Sequence, residues 1–153
     1  MELMYNLEKM SPGTAKDSAR LFCELWESAN YEEELEICLR VTGDNNKCVI
    51  LAWAGGLYIG FVFMSLRHEY VEGVTTSPVA YIEGLYVKPE YRGKGIGSHL
   101  VRAGSQWGKE MGGQEIASDA EIANTISIDF HKKLGFTEVR RVVCFARSLD
   151  TPF

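Results

Sequence analysis

The sequence predicts a mixed α+β domain: a central, mostly antiparallel sheet with one splayed pair of parallel strands and helices on its faces. Three observations lead there. Segments rich in Val, Ile, Phe and Tyr recur between Val49 and Val87 with a tight turn or one polar loop between them, as consecutive antiparallel strands require. Gly93, Gly95 and Gly97 then open a long amphipathic helix. A further short β-prone segment follows that helix, and a strand-helix-strand crossover sets its two strands parallel.

Taken in order, Tyr5 to Met10 reads as a first edge strand. Ser11 and Pro12 suit a helix start, serine as cap and proline at the first helical position. Ala19, Leu21, Phe22, Leu25, Trp26 and Ala29 recur at helical spacing and carry that helix through Asn30. A second helix is expected over residues 32–41, with Leu35, Cys38 and Leu39 inward and Glu32, Glu33 and Glu34 at its positive end. Residues 42–47 form a turn.

Cys48 to Leu66 is a 19-residue run without a formal charge, near the length of a membrane-spanning helix. Gly55-Gly56 inside it and Gly60 in its second arm favour a buried hairpin with strands at 49–54 and 58–67. Residues 68–78 make a polar connection long enough to line a site. Val79 to Val87 pairs with the strand before it. The central helix spans residues 96–111, with Leu100, Ala103, Trp107 and Met111 as its apolar stripe, and Gly112-Gly113 ends it. A short strand at 114–118, a helix at 124–133 and a last strand at 139–146 complete a single domain over residues 1–148. Residues 149–153 are a short tail.

The 153 residues are 46% apolar and 24% charged, ordinary values for one globular domain. With 21 acidic against 16 basic residues the net charge is -5, which argues against a nucleic-acid partner and suits a cationic substrate. The four cysteines, at 23, 38, 48 and 144, lack paired metal spacing and read as free buried thiols in a reducing compartment. The amino terminus has neither the basic region nor the cleavage pattern of a secretion signal, so a cytoplasmic location is expected, without membrane attachment.

The chain is organised around Tyr81-Ile-Glu-Gly-Leu-Tyr-Val-Lys-Pro-Glu-Tyr-Arg-Gly-Lys-Gly-Ile-Gly97. Ile82, Leu85, Tyr86 and Val87 favour an extended backbone, and Pro89 stops the strand near Lys88. The glycines carry no Cβ, so successive amides can approach an anion closely while the helix beginning near Ile96 adds its positive end. Arg92 and Lys94 supply charge outside this nest. The spacing is neither the nucleoside-triphosphate loop G-x-x-x-x-G-K-S/T nor G-x-G-x-x-G, whose last glycine is replaced by Ser98. An ordinary glycine-rich surface turn is the alternative.

Arg92-Gly-Lys-Gly-Ile-Gly97 resembles the R/Q-x-x-G-x-G/A acetyl-coenzyme A signature of the GCN5-related N-acetyltransferase superfamily. Asn124-Thr-Ile-Ser-Ile-Asp-Phe-His-Lys-Lys-Leu-Gly-Phe136 resembles its late Asn-led helix and closing Leu-Gly-Phe. More narrowly, residues 83–92, Ala117-Ser-Asp-Ala120 and Glu138-Val-Arg-Arg-Val-Val143 look like the aminoglycoside 6'-N-acetyltransferases. The resemblance implies the superfamily's fold, with acetyl-coenzyme A as co-substrate and no metal. It implies that backbone groups of Leu85, Tyr86 and Val87 bind the pantetheine and acetyl oxygen, and that the turn from Arg92 through Gly93, Lys94, Gly95 and Ile96 to Gly97 binds pyrophosphate. Asn124 is implied as a holder of the pantetheine amides, against its ordinary role of starting a helix.

Direct acetyl transfer to an amine needs positioning and charge stabilisation but no side-chain nucleophile. Glu83 and Asp119 are the paired carboxylates of interest: Glu83 lies in the strand before the turn and Asp119 closes the next parallel strand, so both can face one opening and accept an ammonium proton or complement its charge. The resemblance implies that Asp119 meets the reactive amine and that Glu83 contacts the sugar; an N-cap or turn role for Asp119 is the structural alternative. It likewise implies that Trp26 flanks the aminoglycoside ring, where a core tryptophan is equally compatible. Glu69, Tyr70 and Glu72 form either a substrate loop or a solvated acidic loop. Many superfamily members carry a tyrosine proton donor seven residues after the Asn position; here that position is His131, so the tyrosine role does not transfer and His131 stands as a proton donor, a cofactor neighbour or a packing residue.

The expected activity is therefore acetylation of the 6'-amino group of an aminoglycoside, conferring antibiotic resistance, by a homodimer as in the subfamily. An acetyltransferase for another small cationic amine and a non-catalytic coenzyme A-binding protein are the alternatives.

Overall fold

The structure, a computed structural model, describes residues 2–153. It divides into two compact units, one ending at Asp119 and one running from Ala120 to Phe153. The first contains β1 (Asn6–Lys9), α1 (Ala15–Leu25), α2 (Tyr31–Thr42), β2 (Lys47–Ala54), β3 (Leu57–Arg67), β4 (Val79–Val87), α3 (Ile96–Glu110) and β5 (Ile116–Ala117). The second contains α4 (Thr125–Lys133).

The strands form one sheet in the order β1-β2-β3-β4-β5. Pairing is antiparallel from β1 to β4 and parallel between β4 and β5, the predicted mixed arrangement. The charge-free run is the β2-β3 hairpin, turned at Gly55-Gly56. No helix among the described residues is long and apolar enough to cross a membrane.

Alternation along β3 sends Phe61 and Phe63 to one face and Val62 and Met64 to the other. On the first face, Leu21 and Phe22 of α1 and Cys38 and Val41 of α2 pack with Val49, Leu51, Phe61 and Phe63. The Phe22 ring lies 4.6 Å from that of Phe61 and 5.6 Å from that of Phe63. Burying one such side chain contributes about 1.5–3 kcal/mol. On the second face α3 sits close to the sheet through glycine: a Cβ on Gly108 would meet Ala80 Cβ at 2.5 Å, and one on Gly104 would meet Met64 Sδ at 2.7 Å.

Several expectations are corrected. α1 ends at Leu25 rather than Asn30, because the Asn30 carboxamide accepts from the amides of Glu32 and Glu33 and caps α2. The buried face of α2 holds Cys38 and Val41, while Leu39 is exposed. That of α3 holds Ile96, Leu100, Val101, Gly104 and Gly108; Ala103 and Trp107 are half-buried and Met111 is exposed. All four cysteines are free, but Cys23 is half-buried and Cys144 exposed, so only Cys38 and Cys48 are buried thiols. The strand expected at 139–146 is absent: these residues have β-favouring side chains, but a strand needs a hydrogen-bonding edge, and no strand pairs with them among the described residues.

Candidate active site

The site is built from the carboxyl half of β4. In the register with β3, Ile82 faces Met64 and Gly84 faces Phe63, so Glu83 is the extra residue of a bulge. A bulge bends the strand and re-aims a side chain. The Glu83 carboxylate turns toward β3, where Ser65 and Arg67, two residues apart, share a face. Its Oε1 accepts from Arg67 Nε at 3.0 Å and from Ser65 Oγ at 2.5 Å, and its Oε2 accepts from Arg67 Nη2 at 2.9 Å. This bidentate pair neutralises Glu83 within the protein.

The same Arg67 guanidinium stacks 3.5 Å from the centroid of the Tyr81 ring. Tyr81, opposite Ser65 in the register, donates its phenolic hydrogen to Asp119 Oδ2. Burial first, then this bond, pushes the Tyr81 phenol well above the ordinary tyrosine range. Asp119 therefore joins Glu83 through Tyr81 and Arg67. It is not the cap of α4; that is Asn124, whose Oδ1 accepts from the Ser127 amide at 3.1 Å.

Beside this network lies a cleft of about 580 Å³. Phe63, Ser65, Arg67 and Glu83 of the sheet line it, together with Glu69 of the loop after β3 and Ile37 and Arg40 of α2. Tyr70 is exposed and donates to Glu72 at 3.1 Å. The loop carrying these residues is tied down by Glu115, whose Oε1 accepts from Thr76 Oγ1 at 2.6 Å, from the amides of Thr75 and Thr76 at 2.9 Å, and from Thr75 Oγ1 at 3.1 Å. Half-buried Trp26 packs edge-on against Phe22, with ring centroids 5.2 Å apart, and covers Gly84 beside Glu83.

β4 and β5 share only two rungs, Ala80 with Ile116 and Tyr81 with Ala117. Beyond them Leu85, Tyr86 and Val87 have no β5 neighbour, so the parallel pair opens toward the glycine-rich turn. Tyr86 donates to Glu24 Oε2 at 2.9 Å, and Lys88 pairs with Glu24 Oε1 at 2.6 Å. Burial and the bond to Glu24 push the Tyr86 phenol up to about 12. Arg92 Nε donates to the Val87 carbonyl at 2.7 Å, which braces the turn against the strand end.

Gly93 and Gly95 adopt φ of 76° and 83°, and no atom beyond the adjoining residues lies within 4 Å of a Cβ built on either. Gly95 caps α3 without a side chain, and the first-turn amides after it, at Ile96 and Gly97, have no intrahelical acceptor. An open cradle of amides at a helix amino terminus fits the pyrophosphate of acetyl-coenzyme A. Lys94 is exposed at the rim.

Asn124 and His131 both belong to the second unit. His131 Nδ1 bonds the Ser127 carbonyl at 2.7 Å, and its ring lies 5.3 Å from that of Phe136. No group of three metal-binding side chains occurs among the described residues. Reading the sequence missed Arg67, Ser65, Tyr81 and Glu115, whose importance depends on cross-strand register. Gly84, a glycine inside a strand, was the one available signal for the bulge.

Residues 4–136 match the model of the acetyltransferase (GNAT) family. The chain is 34% identical over 145 residues to the aminoglycoside N(6')-acetyltransferase type 1 of Acinetobacter haemolyticus, spanning 95% of this chain and 99% of that protein. It is 36% identical to the enzyme of the same name from Acinetobacter baumannii, spanning 94% and 99%. Among solved structures, that of AAC(6')-Iy in complex with the bisubstrate analogue CoA-S-monomethyl-acetylneamine superposes with a TM-score of 0.91 at 32% identity, covering 95% of this chain and 99% of that one. With the splayed sheet and the amide cradle these matches make one statement: the chain belongs to the acetyltransferase (GNAT) family and groups there with the aminoglycoside N(6')-acetyltransferases.

Proposed function

We propose that this protein transfers acetyl from acetyl-coenzyme A to the 6'-amino group of an aminoglycoside and so confers resistance to it. The observation that carries the reading is the juxtaposition, within one unit, of the amide cradle at α3, the opening between β4 and β5, and the carboxylates Glu83 and Asp119. The bound thioester supplies an activated acetyl carbonyl. Amides of Gly93 to Gly97 and the positive end of α3 hold its phosphates, and the open edge of Leu85 to Val87 aligns its pantetheine arm.

In this reading the aminoglycoside sugar lies beside Glu83 and Glu69, with Trp26 against a ring face, and its 6'-ammonium meets Asp119. Asp119 takes one proton from it. The nitrogen lone pair then forms the new C–N bond as the thioester C–S bond breaks, and a nitrogen proton leaves as the thiolate gains one. Overall, ammonium and thioester give amide, thiol and one proton. Orientation of the two reactants and charge complementarity carry the acceleration.

The single-domain assignment of residues 1–148 belongs to the same proposal and is supported by a family match that runs across both units. So does a homodimer. Val142, Val143 and Phe145 are 66%, 78% and 91% exposed on a β-prone stretch without a strand partner, which suits pairing with a second copy. Four free thiols and a metabolic thioester co-substrate support a cytoplasmic site of action.

Thiol release dependent on acetyl-coenzyme A, measured over aminoglycosides with and without a 6'-amino group and with product masses recorded, tests the function. Mono-acetylation confined to the 6'-amino compounds is expected. Turnover on none of them, with coenzyme A still bound, removes the aminoglycoside and leaves the family.

A further inference from the structure

The contacts around Tyr81 tie together residues from two strands, β3 and β4, and the segment after β5. Its ring is buried beneath Arg67, its phenol donates to Asp119, and the same Arg67 grips Glu83 through two nitrogens. We propose that Tyr81 and Arg67 are positioning residues for acetyl transfer: Tyr81, braced by Arg67, aims the Asp119 carboxylate at the acceptor amine while Arg67 fixes Glu83.

This rests on the reading of Asp119 as the carboxylate that meets the amine. Asp119 is exposed and follows a strand of only two residues, so its own backbone holds it weakly. The phenol engages Oδ2, which fixes the rotation of the carboxylate and directs Oδ1 to the amine. A tyrosine aimed by one hydrogen bond needs its ring held, and a guanidinium stacked on its face supplies that hold.

The charges complete the arrangement. Glu83 and Arg67 cancel, so the uncompensated charge of the network sits on Asp119. A polycationic acceptor thus finds full attraction at the carboxylate that must contact the reacting nitrogen, and polar acceptance without net charge at Glu83. Arg67 is in this way a specificity determinant for which ammonium is drawn to the reacting position.

Tyr81→Phe keeps the ring and its stacking and deletes only the phenol; Arg67→Lys keeps the charge and deletes the bidentate fork. Both are compared with Asp119→Asn and with Tyr81→Phe/Asp119→Asn in acetyl transfer to a 6'-amino aminoglycoside, with the thermal midpoint measured alongside. Tyr81→Phe is expected to lower kcat about tenfold, the scale of one hydrogen bond to a charged group, at unchanged KM for acetyl-coenzyme A. In the Asp119→Asn background the same change is expected to cost nothing more. Arg67→Lys is expected to lower kcat and raise KM for the aminoglycoside.

Wild-type kcat in Tyr81→Phe while Asp119→Asn is slow overturns the proposal and leaves Asp119 in place. A Tyr81→Phe loss that adds in full to the Asp119→Asn loss overturns it too, since Tyr81 then acts independently of Asp119. Wild-type kcat in Asp119→Asn overturns the reading of Asp119 itself and the proposal with it. Wild-type values in Arg67→Lys remove Arg67 from the pair.

Discussion

The Trp26 indole lies so close to Gly84 that a Cβ there would stand 2.8 Å from two of its ring carbons. Trp26 thereby serves two surfaces at once, the Phe22 edge of the core and the strand beside Glu83. Gly84→Ala forces the ring to move. The expected cost is about 1–3 kcal/mol, the range for overpacking, read from urea unfolding. If Trp26 flanks the acceptor, the variant also raises KM for the aminoglycoside and leaves KM for acetyl-coenzyme A alone. An unchanged aminoglycoside KM, in a variant that is measurably destabilised, takes Trp26 out of substrate binding and leaves it to the core.

Gly95→Ala acts differently, because nothing in the protein crowds that position. The added methyl meets no atom beyond the adjoining residues within 4 Å, so the intrinsic penalty is the left-handed backbone at φ 83°, about 1–2 kcal/mol for a residue with a Cβ. Coenzyme A affinity measured by calorimetry is expected to fall further than that strain alone lowers stability, since the methyl enters the space the phosphates approach. Affinity equal to the wild type would show that the phosphates keep their distance from this backbone.

Much of this was legible before the structure. The β4 bounds, 79 to 87, and the start of α3 at Ile96 agree with expectation because both depend on local chemistry: β-branched and aromatic residues, then Pro89, then glycines at a helix start. The inner face of α3 is not legible in the spacing of large apolar residues. Gly104 and Gly108 carry no hydrophobic signal, yet their lack of a side chain is what lets α3 approach Met64 and Ala80. The residues 139–146 failed as a strand for the opposite reason. Their β propensity is plain, but propensity belongs to one segment and pairing to two.

Glu115 makes the order of the loop between β3 and β4 depend on pH. Hydrogen bonds from the Thr76 side chain and the Thr75 amide, with others from the same two residues, hold its carboxyl below the ordinary glutamate range. A carboxyl depressed in the folded state contributes stability that is complete above its unfolded value and is lost as pH falls through the folded one. The protection of the Thr75 and Thr76 amides from hydrogen exchange is therefore expected to be full at neutral pH and to fade under acid. Glu115→Gln should lose it at neutral pH already. Identical protection in the variant and the wild type at pH 7 would mean that other contacts order the loop.

Thiol reactivity separates the core from the proposed dimer contact. Burial pushes the Cys38 thiol up to about 12 and raises that of Cys48, so neither presents an accessible thiolate to an alkylating reagent until the chain unfolds. Cys144 is exposed and lies between Val143 and Phe145 on the unpaired stretch. A chain that stays single labels there quickly. One that pairs this stretch with a second copy covers the sulfur, so labelling slows with rising protein concentration and recovers on dilution. Mass spectrometry of the modified peptide across a dilution series reads this directly. Fast, concentration-independent labelling of Cys144 would put the dimer contact elsewhere or remove the dimer, whereas protection that tracks sedimentation as a dimer assigns residues 139–146 the strand pairing that their β-favouring side chains call for.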